Sequence, residues 1–195
     1  MNSTLRQVKS VSLPQRTWWD EIECELEFPD FWDVNVYHMK GYDAPPLSRE
    51  GFRKAFANPV GSPPLRDLAS GKQTVVILFD DLSRPTKVYE IIPYILEELK
   101  AGGIEGDAVQ FICGLGAHGA LTAYDFRKKL GDHVVENYFV YNHNPYDNCV
   151  DLGETSFGTK VCLNEEFMNA DLKIGIGSII PHPLAGFGGG PKIIQ

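Results

Sequence analysis

The sequence predicts an α/β fold, a mostly parallel sheet with helices on both faces preceded by a small N-terminal β segment, and three observations carry that expectation. Thr74-Val-Val-Ile-Leu-Phe79 is an unbroken apolar, β-branched run of the kind buried on both faces of a parallel sheet. A strand, a glycine-bearing loop and a helix then recur, with further strand-like runs at 109–113, 138–141 and 172–177. Before Thr74 the rhythm differs. Ile22, Cys24, Leu26 and Phe28 alternate with Glu21, Glu23, Glu25 and Glu27, the period-two pattern of a strand with one packed and one acidic face.

Taken in order, residues 1–46 read as the β-rich N-terminal segment, packing on a main domain of residues 47–195. Trp18 and Trp19 precede its first strand and are expected to cover the core. Phe31, Trp32, Val34, Val36 and Tyr37 predict a second strand. Ser48 is placed to cap a helix through Ala57, with Phe52, Ala55 and Phe56 on one face and Asn58-Pro59 at its end. Gly61-Ser-Pro-Pro64 reads as a turn. After the first main strand, residues 86–100 predict a helix with Thr86 as N-cap, Ile91, Ile92, Ile95, Leu96 and Leu99 inward, a bend at Pro93, and Gly102-Gly103 as its stop. Thr122-Ala-Tyr-Asp125 has the form of a capping box opening a helix to about Leu130. Residues 150–152 and 160–163 suggest a small hairpin. These repeated units amount to a Rossmann-like domain, and in such sheets ligands bind outside the carboxyl ends of the strands.

Composition narrows the partners. The formal net charge is −8 with both signs interspersed and no Lys/Arg block, which argues against a nucleic-acid role. No apolar run approaches the roughly twenty residues that span a bilayer, and the polar N-terminus lacks a signal-peptide core, so a membrane role is not expected and the cytoplasm is the expected compartment. Cys24, Cys113, Cys149 and Cys162 are widely spaced without a C-x-x-C pair, which suggests reduced thiols used mostly in packing rather than a zinc site or disulfide framework.

Three strand-end loops carry polar groups. The first is Asp80-Asp81-Leu-Ser-Arg84-Pro-Thr86, where Arg84 can engage a carboxylate or phosphate bidentately and Asp81 can hold it or a ligand hydroxyl. The second is Gly114-Leu-Gly-Ala-His118, whose glycines let a histidine emerge near the end of the sheet. In the third, Ser178-Ile-Ile-Pro-His182-Pro-Leu-Ala-Gly186-Phe-Gly188-Gly189-Gly190-Pro191-Lys192, consecutive glycines can turn backbone N–H groups toward a phosphate and Lys192 can supply a cation or nucleophilic amine. It is not a P-loop, because the G-x-x-x-x-G-K-[ST] spacing is absent. If the loops converge, they assemble two histidines, an arginine, an aspartate and a lysine, enough for acid–base work on an anionic substrate. His38, His133 and His143 lack this placement; His133 and His143 read as surface or turn residues.

In these motifs the sequence resembles the lactate racemase family of nickel-pincer-nucleotide enzymes. Asp81-Leu-Ser-Arg84-Pro85 is similar to the family's D-x-x-R-P loop, Gly114-Leu-Gly-Ala-His118 to its G-x-G-x-H loop, and Pro181-His182 through Gly186-Phe-Gly-Gly-Gly-Pro-Lys192 to its PH-x-x-AGF-x-GG-x-K loop. The resemblance spans about residues 20–195; Gly188 stands where several members have Ser and Pro191 where they have Gly. It implies that Lys192 binds the nickel-pincer nucleotide covalently beside Gly188, Gly189 and Gly190, that His118 and His182 are the paired acid–base residues, and that Arg84, supported by Asp81, orients a small-molecule 2-hydroxy acid. The implied reaction is racemisation or epimerisation by proton-coupled hydride transfer, which avoids forming a carbanion beside an ionised carboxylate. No nickel ligand is expected in this chain. The family's nickel-ligating histidine and second domain would lie beyond Gln195, so residues 1–195 read as an N-terminal half whose cofactor would be absent or incomplete and which would be inactive alone. From a different class, the same residues are compatible with a non-catalytic Rossmann-like nucleotide or phosphate binder whose histidines are incidental.

Overall fold

The fold follows from where each strand can find a partner. A computed structural model describes residues 9–15, 18 and 22–194, which form parts of two compact units, residues 1–47 and 48–195. In the first unit β1 (Lys9–Gln15) and β2 (Ile22–Phe28) pair antiparallel, with Leu13 opposite Cys24 and Val11 opposite Leu26. The alternating pattern therefore makes a strand. A two-stranded ribbon has little to bury its apolar face against, and Ile22 and Leu26 remain exposed, contrary to the packed face expected of them. Phe31 to Tyr37 form no strand. Pro29 and Asp30 turn the chain, with Trp32 N–H donating to Pro29 O at 3.0 Å, and β2 already spends its length on β1. The readings of Trp19 and Glu21 fall outside the described residues.

In the second unit, α1 (Arg49–Ala57) starts at Ser48, whose hydroxyl accepts from Gly51 N–H at 3.1 Å, and stacks Phe52 on Tyr94. The expected turn at Gly61 to Pro64 runs directly into a short helix, α2 (Leu65–Ala69), that the sequence reading lacks. There follow β3 (Val75–Phe79), α3 (Val88–Ala101), β4 (Val109–Cys113), α4 (Ala123–Leu130), α5 (Asp132–Asn137) and β5 (Phe139–Asn142). The antiparallel hairpin of β6 (Cys149–Glu154) and β7 (Lys160–Asn164) leads through α6 (Glu165–Asn169) to β8 (Leu172–Ile176). Two short strands, β9 (Pro181–His182) and β10 (Gly186–Phe187), and α7 (Gly190–Ile194) complete the described chain. His133 is exposed on α5, a surface residue as expected.

β3, β4, β5 and β8 form one parallel sheet in the order β5-β4-β3-β8. Every residue of β3 is buried, and its alternation distributes them between two cores. Val75, Ile77 and Phe79 join the core formed with Ile92, Ile95 and Leu99 of α3, Phe126 and Leu130 of α4 and Val134 of α5, whereas Val76 and Leu78 pack with Phe167 of α6 and Ile193 and Ile194 of α7. Helices thus cover both faces of the sheet. Of the four cysteines only Cys113 is buried, so the packing role expected of most of them is limited to that one. Among the described residues no helix is long and apolar enough to cross a membrane.

The strand order places a topological switch at β3. The chain leaves β3 toward β4 on one side, and β8 returns on the other, so the loops after β3, β4 and β8 open into one crevice at the carboxyl edge.

Candidate functional site

The first loop begins with a buried polar cluster. Asp80 and Asp81 emerge from the end of β3 almost fully covered, at 4% and 6% exposure. Thr86 was expected to cap α3, but its hydroxyl is engaged elsewhere: it donates to Asp80 Oδ2 at 2.5 Å, and α3 starts later, after Lys87, without a side-chain cap. Asp80 Oδ1 faces the ammonium of Lys129 at 2.7 Å. Lys129 also donates to the carbonyl oxygens of Asp81 and Arg84, each at 3.1 Å. Asp81 Oδ1 accepts from Ser83 N–H at 2.7 Å, and Arg84 N–H closes the turn onto Asp81 O at 3.2 Å. Arg84 Nη1 donates to Ser83 Oγ at 3.0 Å.

The second loop brings His118 back onto this turn. Gly116 adopts a φ of +57°, which favours glycine, and His118 N–H donates to Leu115 O at 3.0 Å. The ring Nδ1 lies 2.6 Å from Asp81 Oδ2. Burial pushes the Asp81 carboxyl up, but hydrogen bonds from Ser83 and His118 outweigh it and hold the group below the ordinary carboxylate value. Ionised Asp81 is an acceptor, so His118 Nδ1 carries a proton, which in the neutral ring leaves the lone pair on Nε2.

The third loop is a tight hairpin followed by a helical turn. β9 and β10 pair Gly186 with His182, and Gly188 N–H donates to Ile180 O at 2.7 Å. The His182 ring folds over its own turn: Nδ1 accepts from Leu184 N–H at 3.2 Å and Ala185 N–H at 3.1 Å. Its neutral ring therefore carries the proton on Nε2, the opposite tautomer to His118. Desolvation, then the positive charges of Lys192 and Arg84, draw its pKa below the ordinary histidine value. The glycines after it serve close approach of backbone to backbone. A Cβ on Gly190 would lie 3.2 Å from Gly175 O, one on Gly188 3.2 Å from Ser178 O, and Gly189 has φ +132°. Pro191 fits the first turn of α7, where its missing N–H costs nothing. Ile193 and Ile194 join the core beneath, while Lys192 takes part in the crevice above.

Together the loops enclose a cavity of about 160 Å³ lined by Asp80, Asp81, Arg84, His118, Ser178, Gly188, Gly189 and Lys192 among others. This is smaller than the roughly 300–1,000 Å³ that enclose drug-sized ligands. The structure thus brings Asp81, Arg84, His118, Gly188, Gly189 and Lys192 to one place. It leaves Gly190 packed on β8 and places His182 outside the lining, though close enough to sense the Lys192 and Arg84 charges. His38 stacks on Tyr42, and His143, near Asn164, stands apart from the cavity. A larger groove of about 670 Å³ between α3 and α5 is mainly apolar, and none of the three loops reaches it.

Lys129, Asp80 and Ser178 join the site without a role expected of them from the motifs. A signal for Lys129 existed: Phe126, Lys129 and Leu130 occupy positions i, i+3 and i+4 of α4, so the lysine falls on the inward face.

The family model described as the lactate racemase N-terminal domain matches residues 19–195. Lactate racemase of Thermoanaerobacterium thermosaccharolyticum is 33% identical over 144 residues, covering 73% of this chain and 34% of that protein. Lactate racemase of Lactiplantibacillus plantarum is 32% identical over 149 residues, covering 75% of this chain and 35% of that one. The chain spans about a third of the length of the curated relatives it matches. The structure of the T. thermosaccharolyticum lactate racemase apoprotein matches with a TM-score of 0.74 at 28% identity, over 95% of this chain and 43% of that one. A Thermotoga maritima protein shares the fold, with a TM-score of 0.59 at 19% identity over 76% of this chain and 38% of that one.

Proposed function

The chain belongs to the lactate racemase N-terminal domain family, and on that premise we propose that it supplies the acid–base and cofactor-attaching residues of an enzyme that racemises or epimerises a small 2-hydroxy acid. The observation that supports this reading best is the convergence of three strand-end loops on one small cavity in which Asp81 orients His118. Arg84 makes that cavity attractive to a carboxylate. His118 Nε2 is the group suited to take the substrate hydroxyl proton, and Asp81 stabilises the imidazolium that results.

The residues present fit a nickel-pincer nucleotide at Lys192. Lys192 is half-buried and lines the cavity beside the backbones of Gly188 and Gly189, within reach of Asp81, Arg84 and His118 around the same cavity. This chain would hold the group through Lys192. When bound, that group would supply a hydride acceptor and donor, so the configuration at Cα could change without a carbanion. Arg84 would hold the carboxylate while the planar keto acid exposes its other face. His182 would serve that face, and to give a proton it must first gain one at Nδ1, which requires release of the Leu184 and Ala185 amides.

The test is racemisation of L-lactate, followed by chiral chromatography, in protein of the relatives' full length loaded with cofactor. His118→Ala and His182→Ala are each expected to lower turnover on the order of 10²–10⁴-fold. Turnover unchanged by His118→Ala, with ligand affinity dependent on Arg84 and Lys192 alone, would instead favour a binding module. The isolated chain is expected to be inactive; substantial turnover by it would contradict the assignment of the remaining machinery to another part of the protein.

A further inference from the structure

Lys129 is fully buried, and a buried ammonium needs a reason. It sits in the last turn of α4, a helix whose start is fixed by the reciprocal Thr122–Asp125 capping box. An ammonium has three N–H donors and no acceptor. Here three oxygens surround it, Asp80 Oδ1 at 2.7 Å and the Asp81 and Arg84 carbonyls at 3.1 Å each. Two of these are the backbone oxygens of the residues that carry the cavity's carboxylate and guanidinium. Burial pulls the Lys129 pKa below its ordinary value, and the neighbouring Asp80 only partly opposes that.

The same cluster reaches the other strand ends. Thr86 has one hydroxyl proton, given to Asp80 Oδ2, so the 2.8 Å contact between Thr86 Oγ1 and Ser178 Oγ has Ser178 donating. Ser178 lines the cavity from the end of β8. From beneath, one ammonium therefore ties the β3 loop, and through Asp80 and Thr86 the β8 loop; from above, Asp81 receives His118 of the β4 loop. A buried ion pair is seldom the most stabilising filling for a core, and replacing both partners with uncharged groups is often neutral. Geometry is the better account of this one.

We propose that Lys129 is a positioning residue of the site: by fixing the Asp81 and Arg84 carbonyls it sets the Asp81 carboxylate against His118 and so selects the Nδ1–H tautomer that leaves Nε2 free to accept a proton. The catalytic meaning rests on the racemase reading, but the positioning does not. The experiment needs neither substrate nor cofactor, so failure of that reading leaves it intact.

The variant is Asp80→Asn combined with Lys129→Met in this chain, which removes both charges and leaves no unpaired buried ion. The readout is the side-chain ¹⁵N spectrum of His118 at pH about 8, where an ordinary imidazole is neutral. The wild type should show the Nδ1–H tautomer as the major form, and the folded double variant should lose that preference several-fold. A wild-type tautomer ratio in a folded double variant would overturn the proposal. Should the double variant not fold, the wild type decides through ammonium hydrogen exchange: Lys129 should exchange at least about tenfold more slowly than exposed Lys72, and equal rates would refute the arrangement of two carbonyl bonds and one ion pair.

Discussion

Replacing Lys129 alone should be among the costliest single substitutions in this chain. In Lys129→Met the buried Asp80 carboxylate, 6% exposed as a side chain, loses the cation 2.7 Å from Oδ1 and retains only the Thr86 hydroxyl as a donor. Two backbone carbonyls lose their ammonium donor as well. Both charged groups are shielded from solvent, so screening does not discount the effect. Breaking a buried pair from one side costs about 3–5 kcal/mol. For a unit of roughly 150 residues, at about 2–4 °C per kcal/mol, this corresponds to a fall in Tm of about 6–20 °C. The assay is thermal unfolding by circular dichroism for the wild type, Lys129→Met, Asp80→Asn and the double variant. The double variant should recover much of the loss, because no uncompensated charge remains, and the cycle should show a coupling of about 1–3 kcal/mol between the two positions. A fall in Tm below about 2 °C for Lys129→Met, or strict additivity of the two single effects, would refute the reasoning.

Other perturbations probe the loops. A Cβ at Gly114 would stand 2.8 Å from the Ile193 carbonyl oxygen, so Gly114→Ala should shift α7 with Lys192 and destabilise by about 1–3 kcal/mol; an unchanged urea midpoint would contradict this close approach. Because the folded-state pKa of Asp81 is depressed, its stabilisation is fully present above the unfolded value near 3.8 and is lost as pH falls through the lower folded value. Asp81→Asn should therefore flatten the acid limb of the stability curve below about pH 4, and an acid limb as steep as that of the wild type would count against the ionised Asp81–His118 pair. His182 should titrate by NMR below the ordinary 6.5 and show the Nε2–H tautomer when neutral. A midpoint at or above that value would mean that the hairpin does not hold its Nδ1 as an acceptor.

Much of this architecture is legible because one physical cause dominates at each legible position. The Val75 to Phe79 run can only be a strand buried on both faces, and the Thr122–Asp125 box has both halves of its reciprocal bond in the sequence. Reading fails where two causes compete. Thr86 looks like a helix cap, yet a buried carboxylate six residues earlier takes its hydroxyl. The aromatic and β-branched residues from Phe31 to Tyr37 favour extension, but a strand requires an edge to pair with, and Pro29 turns them away from β2. Glycines 188 to 190 look like a phosphate cradle; the structure explains them largely by tight packing of α7 on β8 and at a φ that favours glycine. Spacing alone puts Lys129 on the inward face of α4, but the oxygens that satisfy it there are distant in sequence and so not legible in it.

The most direct test of the account is the intact mass of protein containing this chain, purified from cells that make the cofactor and supplied with nickel, followed by peptide mapping. The expected result is a mononucleotide-sized adduct on Lys192 that Lys192→Ala abolishes while the fold is retained. A mass equal to the polypeptide alone under those conditions, or an adduct on a different residue, would contradict the assignment of Lys192 as the attachment point around which the three loops are arranged.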